Sequence, residues 1–75
     1  MTEKRSEGRG PKTQAEVEKM NADPQRYINE MRLDLLGGGW SPSFGGTVWT
    51  DLLGRSYHGP YKAWTIWAGV EMKQP

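Results

Sequence analysis

Cysteine is absent from this chain of 75 residues, and histidine occurs once, at His58. The absence of cysteine excludes disulfides, thiolate zinc sites, iron–sulfur clusters and cysteine nucleophiles. A single histidine falls short of the three protein ligands that catalytic zinc usually has. We therefore expect no metal and no cofactor. We also expect a small core, because a chain of this length rarely gains more than about 3–5 kcal/mol from its core alone.

Long hydrophobic runs are missing as well. The longest stretch rich in apolar residues, 63–70, is far shorter than the roughly 20 residues of a membrane-spanning helix. The first residues carry charges and lack the apolar core of a secretory signal. The sequence thus predicts a soluble protein, cytoplasmic or within an assembled particle, with no membrane association and no export by a signal peptide.

The first part of the chain is charged and polar. Residues 1–12 contain no hydrophobic residue after Met1, so little there offsets the cost of ordering the backbone. We predict a flexible tail with a basic end. Thr13 and Glu16 have the spacing of a capping box, in which each side chain bonds the other residue's backbone N–H. This pattern predicts a helix over 13–22.

A second helix is predicted over 24–36. Asp23 suits its N-cap, and Pro24 suits the first helical position, where the missing N–H costs nothing. Apolar residues follow at the spacing of one helix face. They are Tyr27, Ile28, Met31, Leu35 and Leu36.

The segment 37–75 has a different chemistry, with eight of the ten glycines and seven of the eight aromatic residues. Alternating residues predict strands over 47–53 and 61–69, joined as a β-hairpin. A two-stranded hairpin is only marginally stable alone. We therefore expect 37–75 to form one structural unit with the helical segment 13–36. The predicted fold class is small α+β, with a flexible tail, two helices and an irregular, glycine-rich and aromatic segment that contains the hairpin.

The aromatic residues of this segment are the candidate functional residues. On the predicted strand 61–69 they occupy both faces, which is more than so short a chain can cover. Exposed Trp and Tyr are typical of protein interfaces, where they bury large areas with few rotatable bonds. The candidate partner-binding residues are Trp40, Phe44, Trp49, Tyr57, Tyr61, Trp64 and Trp67. We expect the helix face Tyr27, Ile28, Met31, Leu35 and Leu36 to support them.

The function predicted from these rings is non-enzymatic. The protein would dock on a larger protein, or on a second copy of itself, through its aromatic half. A minor virion component, a phage-encoded inhibitor of a host protein and a small subunit of a larger complex all fit this prediction.

Single-stranded nucleic acid is the alternative partner. Bases stack on aromatic rings while basic side chains neutralise phosphates. The candidate residues are Tyr57, Tyr61, Trp64, Arg55 and Lys62. A net charge of +1 gives this alternative little electrostatic support.

A third hypothesis is an enzyme centred on Ser56 and His58. A serine nucleophile needs a base within hydrogen-bond reach and an acid that orients the base. A spacing of two residues in a predicted turn establishes neither contact, so this hypothesis has the least support.

Overall fold

The first helix begins where its capping box predicts. A computed structural model describes residues 12–72, and in it α1 spans Gln14–Ala22. The Thr13 hydroxyl accepts a hydrogen bond from the Glu16 N–H at 3.2 Å, and the Glu16 carboxylate accepts one from the Thr13 N–H at 3.3 Å. The predicted helix over 13–22 is confirmed. The predicted flexible tail, apart from Lys12, lies outside the described residues.

The second helix starts later than the predicted range of 24–36. α2 spans Ile28–Gly37, and its N-cap, Tyr27, makes no side-chain capping bond. Asp23 instead ends α1, with its N–H bonded to the carbonyl of Met20. The residues between the helices form tight turns, because the N–H of Tyr27 bonds three residues back, to the carbonyl of Pro24. Asp23 is therefore not the predicted N-cap.

The sheet has three short antiparallel strands in the order β1-β2-β3. The strands are β1 (Ser41–Ser43), β2 (Val48–Thr50) and β3 (Ser56–His58). Trp49 at the centre of β2 pairs with Pro42 on one side and Tyr57 on the other. These three residues share one sheet face, because residues directly opposite in a ladder point the same way. A strand is confirmed within 47–53, but it is shorter than predicted.

The strand predicted over 61–69 is wrong. Residues Pro60–Ala68 form a helix, α3, with proline in its first turn and Gly69 in the left-handed conformation at its end (φ 75°). Both features are common helix boundaries. Its buried residues recur at helical spacing, as Ala63, Trp64, Trp67 and Ala68. A helix gathers on one face the rings that a strand would divide between two.

One hydrophobic core joins the helices to the sheet. Its buried apolar residues come from α1 (Val17, Met20), α2 (Met31, Leu35), the sheet region (Trp40, Trp49) and α3 (Ala63, Trp64, Trp67, Ala68). The predicted fold class, small α+β, is confirmed, with three helices and a three-stranded sheet in place of two helices and a hairpin. Within residues 12–72, no helix combines the length and the apolar character needed to cross a membrane.

Candidate functional site

The four tryptophans lie in the interior. Trp64 is fully buried, Trp49 is 2% exposed, and Trp40 and Trp67 are each 7% exposed. Our expectation that the chain cannot enclose its rings is therefore wrong. It failed because α3, as a helix, places Trp64 and Trp67 against the sheet and α2. The exposed rings on which the docking prediction rested reduce to Phe44, with Tyr57 and Tyr61 half-buried.

Trp49 and Tyr61 have hydrogen-bond partners for their polar atoms. The indole N–H of Trp49 donates to the carbonyl of Gly46 at 2.8 Å. The hydroxyl of Tyr61 donates to the side-chain oxygen of Asn21 at 2.6 Å, and the Asn21 amide donates to the carbonyl of Glu71 at 2.9 Å. Among the described residues, no buried side-chain nitrogen or oxygen lacks a hydrogen-bond partner. These rings are built into the fold as core residues.

A charged cluster connects the helical half to Trp64. Lys12 Nζ lies 2.7 Å from Glu30 Oε2 and 3.5 Å from Asp34 Oδ1. The indole N–H of Trp64 donates to Asp34 Oδ2 at 3.0 Å. The side chains of Lys12 and Asp34 are 14% and 16% exposed. Lys12, which was predicted to belong to the tail, is thus packed against α2.

Burial and contacts with neighbouring groups shift the pKa values of Lys12 and Asp34 in opposite directions. Burial raises the pKa of Asp34 above its ordinary value of 3.8, and outweighs the hydrogen bond from Trp64 and the charge of Lys12, which lower it. Burial also acts to lower the pKa of Lys12. The hydrogen bond to Glu30 and the negative charge of Asp34 outweigh that effect, so the pKa lies above 10.5. The cluster is an internal contact between chain segments, in which Lys12 lies between two carboxylates.

The predicted supporting face of α2 is partly correct. Met31 and Leu35 are fully buried, and Tyr27 and Ile28 pack against the core while half-buried. Leu36 is 49% exposed and does not support the rings. The reason is geometric, because one residue turns a helix by about 100°, and Leu36 follows directly after the buried Leu35.

Large apolar side chains are exposed at one end of the sheet instead. Leu52 and Leu53, in the turn after β2, are 73% and 75% exposed. Ile66, on the outer side of α3, is 45% exposed. They border an open, mainly apolar groove of about 450 Å³, which we call the end groove. Its lining residues are Gly38, Trp40, Asp51, Leu52, Leu53, Ile66 and Trp67.

Asp51 holds the leucine turn in place. Its Oδ1 accepts hydrogen bonds from the N–H groups of Leu53 (2.9 Å) and Arg55 (2.8 Å), and its Oδ2 accepts one from the Tyr57 hydroxyl at 3.5 Å. Aspartate commonly bonds its own backbone two residues on in turns of this kind. The one carboxylate that lines the end groove is therefore already occupied by hydrogen bonds from its own turn. Sequence reasoning missed the groove because Leu52 and Leu53 were assigned to a strand.

Two glycines allow the wall of the groove to form. A Cβ built on Gly38 would lie 2.5 Å from the indole nitrogen of Trp67, so the end of α2 and Trp67 approach too closely for a side chain. Gly39 has φ 90°, and a Cβ there would lie 2.9 Å from Leu52 Cδ2. Gly38 and Gly39 thus provide the close contacts around the groove.

Phe44 is the other exposed apolar residue near the sheet. It lies in the connection between β1 and β2, 81% exposed, with φ 51°. A bulky residue at positive φ is a backbone outlier. The hydroxyl of Thr47 donates to the Phe44 carbonyl at 2.8 Å, which holds the turn in this conformation.

The residues of the other two hypotheses are placed differently. The hydroxyl of Ser56 shares a 3.0 Å hydrogen bond with that of Thr50, not with His58. Among the rings assigned to base stacking, Trp64 is fully buried and Tyr57 and Tyr61 are half-buried, so they form no open platform. Within 12–72, no three His, Cys, Asp or Glu side chains are close enough together to hold a metal ion.

Comparisons of this chain with known protein families, curated proteins and solved structures find no match.

Proposed function

We propose that this protein is a non-enzymatic docking protein that binds a protein partner through the end groove. The observation that carries the proposal is the exposure of Leu52 and Leu53 beside a concave, mainly apolar surface. Neighbouring apolar side chains around a concavity are typical of interaction sites, whereas single exposed ones need no explanation.

The walls of the groove support this proposal. Trp40 and Trp67 line it while being 7% exposed, so each is packed into the core and presents only a small part of its surface. Rigid aromatic residues lose little conformational freedom when a partner binds. Two of the rings predicted to contact a partner thus contribute to the proposed surface from beneath, while the leucines provide the accessible area.

The hydrogen bonds of the groove favour an apolar ligand group. A polar atom without a hydrogen-bond partner would oppose desolvation. Asp51, the one charged lining residue, accepts hydrogen bonds from its own turn. An apolar side chain of a partner can therefore cover the groove without leaving that carboxylate without hydrogen-bond donors. The three settings named from the sequence, in a virion, on a host protein or in a larger complex, all fit such a surface.

A capture experiment with matched variants tests the proposal. Leu53→Asp alters the groove, and Leu33→Asp is its control because Leu33 is 66% exposed on α2 and does not line the groove. We expect the wild type and Leu33→Asp to retain a protein from a lysate of the native source, and Leu53→Asp to lose at least tenfold in affinity. Retention of the same protein to the same extent by all three would contradict the proposal.

The salt dependence separates a protein from a nucleic acid. Binding through phosphates weakens steeply and log-linearly as salt rises, because counterions are released. We expect binding at the end groove to change little with salt and to survive nuclease treatment. A steep salt response that nuclease abolishes would support the nucleic-acid alternative instead.

A further inference from the structure

Phe44 and the end groove lie at opposite ends of β2. The turn that contains Phe44 precedes Val48, the first residue of β2, and the leucine turn follows Thr50, its last. α3 runs in the same direction. It starts beside the Phe44 turn, where the Gly59 N–H donates to the Thr47 carbonyl at 2.6 Å, and it carries the groove residues Ile66 and Trp67 near its end. A strand rises about 3.3 Å per residue, so the two features are on the order of 15 Å apart. Phe44 is thus too far away to fill the groove of its own chain.

The Phe44 turn is suited to burial against another surface. Residues 41–50 contain no charged side chain, so covering them desolvates no ion. Gly45 and Gly46 follow Phe44 and leave the ring as the one large side chain at the tip. The Phe44 backbone is held at an unfavourable positive φ although the residue is 81% exposed. Backbone outliers that the surrounding structure maintains are concentrated at functional positions.

The end groove has the complementary properties. It is concave and mainly apolar, and its carboxylate already has hydrogen-bond partners. The parts of the chain outside the described residues, 1–11 and 73–75, contain a single hydrophobic residue, Met1. They therefore offer no aromatic side chain for the groove, whereas Phe44 does.

We infer that the ligand of the end groove is Phe44 of a second copy of this chain. This inference rests on the proposed function and names the partner of the same site. Two copies placed antiparallel can make the contact twice, since a two-fold axis pairs each residue with its counterpart reciprocally. One ring and a few aliphatic side chains cover much less than the roughly 800 Å² per partner of a standard interface. The self-association is consequently weak and visible only at high protein concentration.

Sedimentation equilibrium of the full chain from about 10 µM to about 1 mM tests the inference, because this range covers a weak dimer. We expect the wild type to increase in mass with concentration. Phe44→Asn removes the ring while asparagine tolerates positive φ, and we expect it to remain monomeric. Leu33→Asp, altered outside both features, should associate like the wild type. A monomeric wild type at 1 mM, or equal association of Phe44→Asn, would overturn the inference.

Mixing two variants checks the pairing directly. Phe44→Asn keeps an intact groove, and Leu53→Asp keeps an intact Phe44. Neither should self-associate to the extent of the wild type. The equimolar mixture restores one of the two contacts, so we expect it to show at about 1 mM a change in tryptophan fluorescence that neither variant shows alone. Association of either variant alone to the extent of the wild type would contradict the pairing. If capture of a different protein is lost in Leu53→Asp but retained in Phe44→Asn, the proposed function stands and this inference fails.

Discussion

The aromatic half of this protein contains two sets of apolar side chains with opposite environments. The tryptophans are buried, and Trp49 and Trp64 donate hydrogen bonds to nearby acceptors. Leu52, Leu53 and Phe44 are exposed and have no polar atom in their side chains to satisfy. Ring size therefore does not identify the exposed apolar surface of this protein. The largest side chains fill the core, and smaller apolar ones remain accessible.

The sharpest test of this difference is Trp64→Ala. Removing a fully buried tryptophan costs about 3–5 kcal/mol, which is as much as a core of this size usually supplies. It also deprives Asp34 of a hydrogen-bond donor. We expect the variant to be largely unfolded at 25 °C, as measured by urea titration and near-UV circular dichroism. A cooperatively folded variant with weakened partner binding would show instead that Trp64 belongs to the docking surface.

A pair of glycine variants tests the close contact between the end of α2 and Trp67, which lines the end groove. Gly38→Ala places a methyl group 2.5 Å from the indole nitrogen of Trp67, and we expect a loss of about 1–3 kcal/mol from this overpacking. Gly37→Ala, at the last residue of α2, meets no atom within 4 Å. Gly37 is not among the residues with positive φ, so alanine fits there and restricts the unfolded chain, and this control should gain about 0.4–1 kcal/mol. Equal effects, measured by urea titration, would mean that Trp67 moves freely and does not form a rigid wall.

The pH dependence of stability tests the contact between Asp34 and the buried Trp64. Because the pKa of Asp34 is raised on folding, the proton is bound more tightly in the folded chain. The resulting stability is fully present below 3.8, the ordinary pKa, and is lost as pH rises through the folded value. Asp34→Asn keeps an oxygen for Trp64 but has no proton to lose. Relative to this variant, the wild type should become less stable as pH rises from below 3.8 to neutrality.

Urea titrations of both proteins at a series of pH values measure this difference. Its sign is the decisive result, because a paired carboxylate with a lowered pKa would give the opposite slope. A wild type that gains stability over Asp34→Asn with rising pH would show that the contact with Lys12 dominates the burial of Asp34.

The smallest effect on folding is expected for the exposed set. Leu53→Ser changes a side chain that is 75% exposed, and such surface substitutions usually alter stability by less than about 0.5 kcal/mol. The free energy of unfolding should therefore be unchanged, while docking through the end groove is weakened. A loss above about 1 kcal/mol would place Leu53 in the core and remove it from the proposed surface.

Local signals in the sequence predicted part of the fold correctly. The capping box at Thr13 and the spacing of Met31 and Leu35 were sufficient for the start of α1 and the buried face of α2. The segment after Pro60 was misread because its residues alternate as well as recur at helical spacing. Proline in the first turn and Gly69 at the end were the signals that favour a helix there.

The candidate site was predictable only in outline. The sequence placed it in the aromatic half, and two of its lining residues, Trp40 and Trp67, were among the named residues. Leu52 and Leu53 were not, because their exposure follows from the Asp51 turn and not from their own chemistry. Exposure is a property of the surroundings, and composition does not report it.

Features that depend on neighbours a few residues apart, such as the capping box at Thr13, can be read from the amino-acid sequence. Hydrogen bonds over two to four residues are available to the chain before it packs. Which rings are buried follows from the packing of distant segments, with partners such as Asp34 for Trp64 and Asn21 for Tyr61. Once α3 packs against α2 and the sheet, the tryptophans leave the solvent, and the leucine turn and Phe44 remain in it.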